Sequence, residues 1–264
     1  MAEVRKPLIA ISLGAGVQST TMALMAAAHK IEPMPDCAIF ADTGWEPKAV
    51  YQHLEWLTGM LPFPVHIVSA GDIRADAVRK TNTTGQRFAS IPWHIRQDDG
   101  RSGIGRRQCT KEYKLRPIQR KIVEIVGGRP KAGCSLWIGI SFDEAMRMKP
   151  SRVQYIVNRF PLLEQRMTRR DCLSWMAKHG YPTPPKSSCI GCPYHSHAHW
   201  KTLTKEEIAD AIEVDRKIRR QPGMKGEQFM HRSLRPLEEV DLSAPSDRGQ
   251  TDLFINECEG MCGL

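Results

Sequence analysis

Residues 12–20, Ser12-Leu13-Gly14-Ala15-Gly16-Val17-Gln18-Ser19-Thr20, constrain the fold of this chain more than any other stretch. They follow an apolar run at 8–13 and lead into an alanine-, leucine- and methionine-rich segment at 19–29, a composition with strong helix propensity. The order is strand, tight loop, helix. A glycine-rich turn in that setting presents backbone amides to an anion, and the helix N-terminus adds a partial positive charge. The hydroxyls of Ser12, Ser19 and Thr20 supply further donors. Two glycines also serve plain tight packing in many strand-to-helix turns, and the triphosphatase pattern ending in Gly-Lys-Ser/Thr is absent, so spacing alone leaves both readings open.

The pattern continues along the chain. Residues 37–41 and 65–68 read as buried strands, 46–60 and 115–126 as helices, and 136–140 as another apolar strand. Strands alternating with helices predict an α/β class domain with a parallel sheet flanked by helices. Residues 79–108 break this rhythm, being rich in Gly, Arg, Thr and Gln without either apolar period, and read as a long substrate loop. Thr168 with Asp171 and Thr204 with Glu207 have the spacing of capped helix starts, the first helix stopping at Gly180. Beyond Gln221 the prolines at 222, 236 and 245 predict a small irregular C-terminal region. The expected division is a nucleotide-binding domain over 1–200 and a C-terminal helix with a cysteine-containing tail over 201–264.

With 264 residues, 41% of them hydrophobic, the chain suits one main domain with a small appendage. A net charge of +9 favours polyanionic partners, or equally a merely soluble basic surface. The first apolar run is too short to span a membrane and lacks a cleavage signature, so a cytoplasmic location and no membrane partner are expected. Eight cysteines in such a chain point to metal or redox chemistry rather than disulfides.

Five ordered motifs over residues 8–195 carry a resemblance to the phosphoadenylyl-sulfate (PAPS) reductase family, the adenine nucleotide alpha hydrolases of the PP-loop superfamily. They are the 12–20 loop, with Gln18 where many ATP pyrophosphatases have aspartate; Phe40-Ala41-Asp42-Thr43-Gly44-Trp45-Glu46-Pro47; the segment from Cys109 to Ile118; Trp137-Ile138-Gly139-Ile140 with Asp143, Glu144 and Arg147; and Phe160-Pro161-Leu162-Leu163 with Asp171-Cys172 and Ser188-Cys189-Ile190-Gly191-Cys192-Pro193. The resemblance implies a PP-loop fold. It also implies an ATP or PAPS site made by Ser12, Gly14, Ala15, Gly16, Gln18, Ser19 and Thr20 with Asp42, Thr43 and Gly44. Lys114 and Arg147 are implied contacts to substrate phosphate or sulfate.

Cys189 and Cys192 can place two sulfurs on one metal or cluster, and the resemblance adds Cys109. Cluster-bearing reductases have two adjacent cysteines in that segment, whereas here the second position is Thr110. A 4Fe-4S cluster would then take a fourth thiolate from Cys258 or Cys262, or keep one iron open as in non-redox thiolation enzymes. Zinc is the alternative, since His195, His197 and His199 follow closely, and a redox dithiol is a third. Cys37, Cys134 and Cys172 lie in or beside apolar elements and read as core residues.

Arg101, Arg106, Arg107, Lys111, Lys114 and Arg116, with Trp93, His94 and Tyr113 interleaved, read either as a phosphate grip with base-stacking rings or as a solvated surface. The tail from Asn256 resembles part of the reductases' terminal signature but holds both Cys258 and Cys262 and lacks the final histidine. Its thiolate would be a nucleophile in a reductase. The expectation that follows is an ATP- and Mg²⁺-dependent enzyme activating a nucleic acid, tRNA or DNA, for sulfur transfer. A sulfonucleotide reductase and a nucleotide-binding subunit of a DNA-modification or defence complex are the alternatives. A sulfur-donor protein and a second copy of the chain are the expected protein partners.

Overall fold

The computed structural model describes residues 6–79, 91–128 and 133–242. Its elements are, in order, β1 (Leu8–Leu13), α1 (Val17–Ala27), β2 (Cys37–Asp42), α2 (Lys48–Met60), β3 (Val65–Ser69), α3 (Ile73–Arg79), β4 (His94–Arg96), β5 (Ser102–Ile104), α4 (Arg116–Ile125), β6 (Cys134–Ile138), β7 (Ile156–Arg159), α5 (Pro161–Glu164), α6 (Arg169–Lys178), α7 (His197–Trp200), α8 (Lys205–Ile218) and β8 (Glu227–Phe229). Strands β1, β2, β3, β6 and β7 form a fully parallel sheet in the order β3-β2-β1-β6-β7. The α/β class with helices flanking a parallel sheet, expected from the alternation, is therefore what the chain adopts.

Because side chains alternate along a strand, the apolar run of β1 feeds two cores at once. Ile9, Ile11 and Leu13 join Phe40 and Trp137 beneath α1, α2 and α6. Leu8 and Ala10 join Ile39, Leu136 and Ile138 beneath Ile118 and Ile122 of α4. Cys37, Cys134 and Cys172 sit inside these layers at 2%, 2% and 0% exposure, the core role their surroundings predict. Burial pushes the Cys37 thiol up to about 11 and that of Cys134 up to about 12, so both stay protonated and inert at neutral pH.

A third core gathers Trp45, Ile73, Ile91, Trp93, Tyr113, Ile190, Trp200, Val214 and Met230 from widely separated segments. Both helix-start readings hold: Thr168 and Asp171 form a reciprocal capping box on α6, and Thr204 and Glu207 form one on α8. α6 ends at Lys178, with Gly180 just beyond it at φ +72°. Two stretches read as irregular do contain strands. β4 and β5, inside the expected long loop, pair antiparallel, and β8, beyond Gln221, pairs with β4. Each has three residues, too few to display a period of two. Buried Asp215 fastens this region by accepting from the amides of Met230 at 2.7 Å and Leu237 at 3.0 Å.

Candidate nucleotide and thiol site

The chain winds outward from β1 through β2 and β3, then returns to β6 and β7 on the other side of β1. Ligands of doubly wound sheets bind beyond the carboxyl ends of the strands at such a reversal. The 12–20 loop leaves β1 at that point. Ala15 takes φ +56°, and Gly16 caps α1 in extended conformation without any side-chain cap. No acidic residue stands in the first turn of α1, so its positive end is not neutralised from within the helix. Ser19 organises the turn: its hydroxyl accepts from the Gly14 amide at 3.2 Å and donates to the Gly16 carbonyl at 3.3 Å. Ser187, from the distal segment, donates to the Gly14 carbonyl. Ser12 lies in β1 in register with Ile39 and Ile138. Thr20 is fully buried, with its hydroxyl 3.0 Å from His53 Nε2.

The loop after β6 closes over this turn. A Cβ on Gly139 would stand 2.8 Å from the Ser19 amide nitrogen, so only glycine permits the approach. Beyond it, Gln18 Nε2 donates to Glu144 Oε2 at 3.2 Å and to Ser141 Oγ at 3.4 Å, while Arg147 Nη1 donates to Glu144 Oε1 at 2.7 Å. At the end of β2, Asp42 Oδ1 accepts from Tyr51 Oη and from the Gly44 amide, each at 2.8 Å. Gly44 takes φ +74°, which lets the chain turn back past Asp72. Burial and the Asp42 contact push the Tyr51 phenol well above its usual range, keeping it a donor.

Thr43 links this edge to a small cavity whose lining includes Cys109, Lys114, Cys189 and Cys192. The structure thus brings together the three cysteines singled out as ligands. Cys109 directly precedes a π-helical turn, Thr110–Leu115, that runs into α4 and carries Lys114 on the cavity wall. Cys189 and Cys192 flank a turn packed against Trp45: Ile190 donates its amide to the Trp45 carbonyl at 2.8 Å, and a Cβ on Gly191 would stand 2.1 Å from the indole ring. His195 Nε2 lies 3.0 Å from the Ile190 carbonyl and His199 Nε2 lies 3.2 Å from Ser188 Oγ, so two of the three nearby imidazoles brace that turn. His197 instead meets the ring of His231 edge-on.

Behind the thiols stands Glu46, which the sequence reading placed at the start of a helix and within the 40–47 motif, without a role of its own. Its side chain is 1% exposed, and its Oε1 lies 3.0 Å from Thr43 Oγ1, 3.5 Å from Cys189 Sγ and 3.7 Å from Lys114 Nζ. Oε2 has no hydrogen-bond partner among the described residues. No signal in the sequence distinguishes Glu46 from an ordinary acid near a helix N-terminus.

Among the described residues, no group of three His, Cys, Asp or Glu side chains is arranged to hold a single metal ion. Three cysteines and the half-buried Lys114 line one cavity, and thiolates are the soft donors that zinc or iron–sulfur chemistry uses. Cys258 and Cys262 lie outside the described residues.

The basic run divides. Lys114 and Arg107 line the cavity, Arg107 lying 5.0 Å over the Tyr194 ring, whereas Arg101 is an exposed partner of Asp99. Trp93 and Tyr113 are each 2% exposed within the third core, and His94 Nε2 lies 3.2 Å from the Pro193 carbonyl. Rings so enclosed have no face for a base, which corrects the stacking role read from their interleaving with cations. Among the described residues no helix is long and apolar enough to cross a membrane.

Sheet order, loop position and side chains together define a doubly wound α/β domain with a glycine-containing loop at its switch point and a cysteine-lined cavity alongside. No family model matches the chain, and no curated protein matches it. Among solved structures it is similar to the phosphoadenylyl-sulfate reductase of Candida auris, solved as a phosphate complex. The identity is 14% over 69% of this chain and 78% of that one, with a TM-score of 0.45.

Proposed function

We propose that this chain is an enzyme that uses an adenine nucleotide to activate a substrate for sulfur transfer. The observation that carries the reading is the convergence of Cys109, Cys189, Cys192 and Lys114 on one cavity, joined through Thr43 to the sheet edge bearing the 12–20 loop. Phosphates of ATP, accompanied by Mg²⁺, would lie over the amides of Gly14 to Gln18, with Ser19 holding the turn in shape. Arg147 and Lys114 would meet the charge that develops as pyrophosphate leaves.

In balanced form, a substrate carbonyl oxygen attacks the α-phosphorus, the α–β phosphoanhydride bond breaks and pyrophosphate departs. A sulfide equivalent from a donor then attacks the activated carbon, and AMP leaves with the oxygen. An iron–sulfur cluster held by Cys109, Cys189 and Cys192 would supply a site for the sulfur being transferred; a fourth ligand, if used, would come from Cys258 or Cys262. The net charge of +9 favours a nucleic-acid substrate.

The test is made on protein purified without air. Iron and labile sulfide that vanish on changing Cys109, Cys189 or Cys192 to alanine, together with ATP-dependent pyrophosphate release, are expected. Sulfite released from PAPS with a thiol reductant, and lost when Cys258 and Cys262 are both changed to serine, would establish the sulfonucleotide reductase instead. A colourless protein with stoichiometric zinc would remove the cluster from the reading.

A further inference from the structure

Glu144 is a buried carboxylate that joins two groups assigned to the nucleotide, Gln18 and Arg147. Its side chain is 5% exposed, with one oxygen on Gln18 Nε2 at 3.2 Å and the other on Arg147 Nη1 at 2.7 Å. Gln18 stands in the first turn of α1, and Arg147 ends the short helical turn Phe142–Arg147 that follows β6. Ser141, fully buried at the start of that turn, lies 3.4 Å from the same Gln18 nitrogen. The side-chain amide of Gln18 is oriented by chemistry, since a carboxylate accepts and only the nitrogen can donate to it. Gln18 Oε1 is then a buried acceptor with no donor among the described residues. Buried acceptors are ordinarily satisfied, and one at a helix N-terminus suits a hydroxyl or amino donor of a bound nucleotide.

A carboxylate beside a phosphate site is electrostatically adverse unless it does something else. Here each oxygen takes one donor, so the side chain bridges the β1–α1 turn to the β6 loop across 126 residues of sequence. The close passage of Gly139 against Ser19 brings the two segments together, and Glu144 fixes their relative register. We infer that Glu144 is a positioning residue that clamps the phosphate loop to Arg147 through Gln18, so that the loop and the arginine form one preorganised nucleotide site. The inference rests on reading residues 12–20 as that site.

Two measurements test it. In ligand-free protein, hydrogen exchange of the 14–20 amides should be about tenfold faster in Glu144→Gln than in wild type, because a glutamine offers one acceptor where two donors must be met. Amides of β2 and α4 should not change. By calorimetric titration, ATP should bind about tenfold more weakly to Glu144→Gln and to Arg147→Met, and the double variant should be no weaker than the singles, since both changes break one chain of contacts. Tighter ATP binding in Glu144→Gln, as simple removal of a negative charge near phosphate gives, would overturn the clamp, as would additive losses. Unchanged exchange at 14–20 would overturn it too. If wild type binds no ATP, the nucleotide reading fails, while exchange still decides whether Glu144 orders the loop. Gln18→Leu cuts the same chain of contacts from the other end and serves if Glu144→Gln does not fold.

Discussion

The 12–20 loop and the thiol cavity lie on neighbouring parts of the same edge but are built in different ways. The loop is drawn from nine consecutive residues, its turn shaped by Ser19 and by the strand and helix that flank it, with Ser187, Gly139 and Glu144 bracing it from outside. The cavity has almost no local origin. Its wall comes from Thr43, from Cys109 and Lys114, and from Cys189 and Cys192, held together by the third core and by Glu46. A locally built site fails when its own backbone is altered, whereas an assembled site fails when any one of its distant supports moves.

The sharpest way to test this contrast is Gly191→Ala. The added methyl collides with Trp45, and the collision should cost about 3 kcal/mol and displace the Cys189–Cys192 turn. Thermal melting should show the loss, and thiol titration should show the two cysteines more reactive. The contrast breaks if ATP affinity falls as steeply as thiol protection.

Next in size is Glu46→Gln. It removes the charge that faces half-buried Lys114 at 3.7 Å, for an expected loss of about 1 to 2 kcal/mol by denaturant titration. Iron loading should fall with it. A variant as stable as wild type would show that Glu46 does not support the cavity.

Gly139→Ala should act on the other region. Its methyl meets the backbone of Ser19 rather than a side chain, so a loss of about 1 to 2 kcal/mol should be accompanied by weaker ATP binding with thiol reactivity unchanged. Equal effects on both regions would mean that they move as one unit.

The smallest expected effect is with pH. Burial lowers the imidazoles of His53, behind the loop, and His231, whose ring meets His197, from the ordinary 6.5 to about 4. Each is neutral when folded and gains a proton on unfolding, so stability is full above about 6.5 and declines as pH falls from there towards 4. Melting temperature should drop between pH 7 and pH 5, and His53→Gln should flatten part of that slope. An unaltered slope in the variant would exclude His53 as a contributor.

The first region was legible in the sequence because its signals are local. The apolar run at 8–13, the two glycines and the helix-forming segment specify strand, turn and helix without reference to anything distant. The same holds for the capping boxes at Thr168 and Thr204 and for the core cysteines, which lie in or beside apolar elements. Thr20 shows the limit. Its hydroxyl type and position suit a phosphate contact, yet it faces His53 in the core, a partner 33 residues away.

What the sequence determined by itself is the α/β class, the loop at the end of β1 and the core role of Cys37, Cys134 and Cys172. Each follows from periodicity, propensity or turn chemistry within a dozen residues. Tertiary structure alone decided that Cys109, Cys189 and Cys192 share a cavity with Glu46 behind it, and that Glu144 bridges Gln18 to Arg147. It also decided that Trp93 and Tyr113 are core rings and that β4, β5 and β8 pair. The physical reason is range. A buried carboxylate or an enclosed aromatic ring is defined by groups that only the folded sheet brings within hydrogen-bond or packing distance, and no local pattern encodes which groups those are.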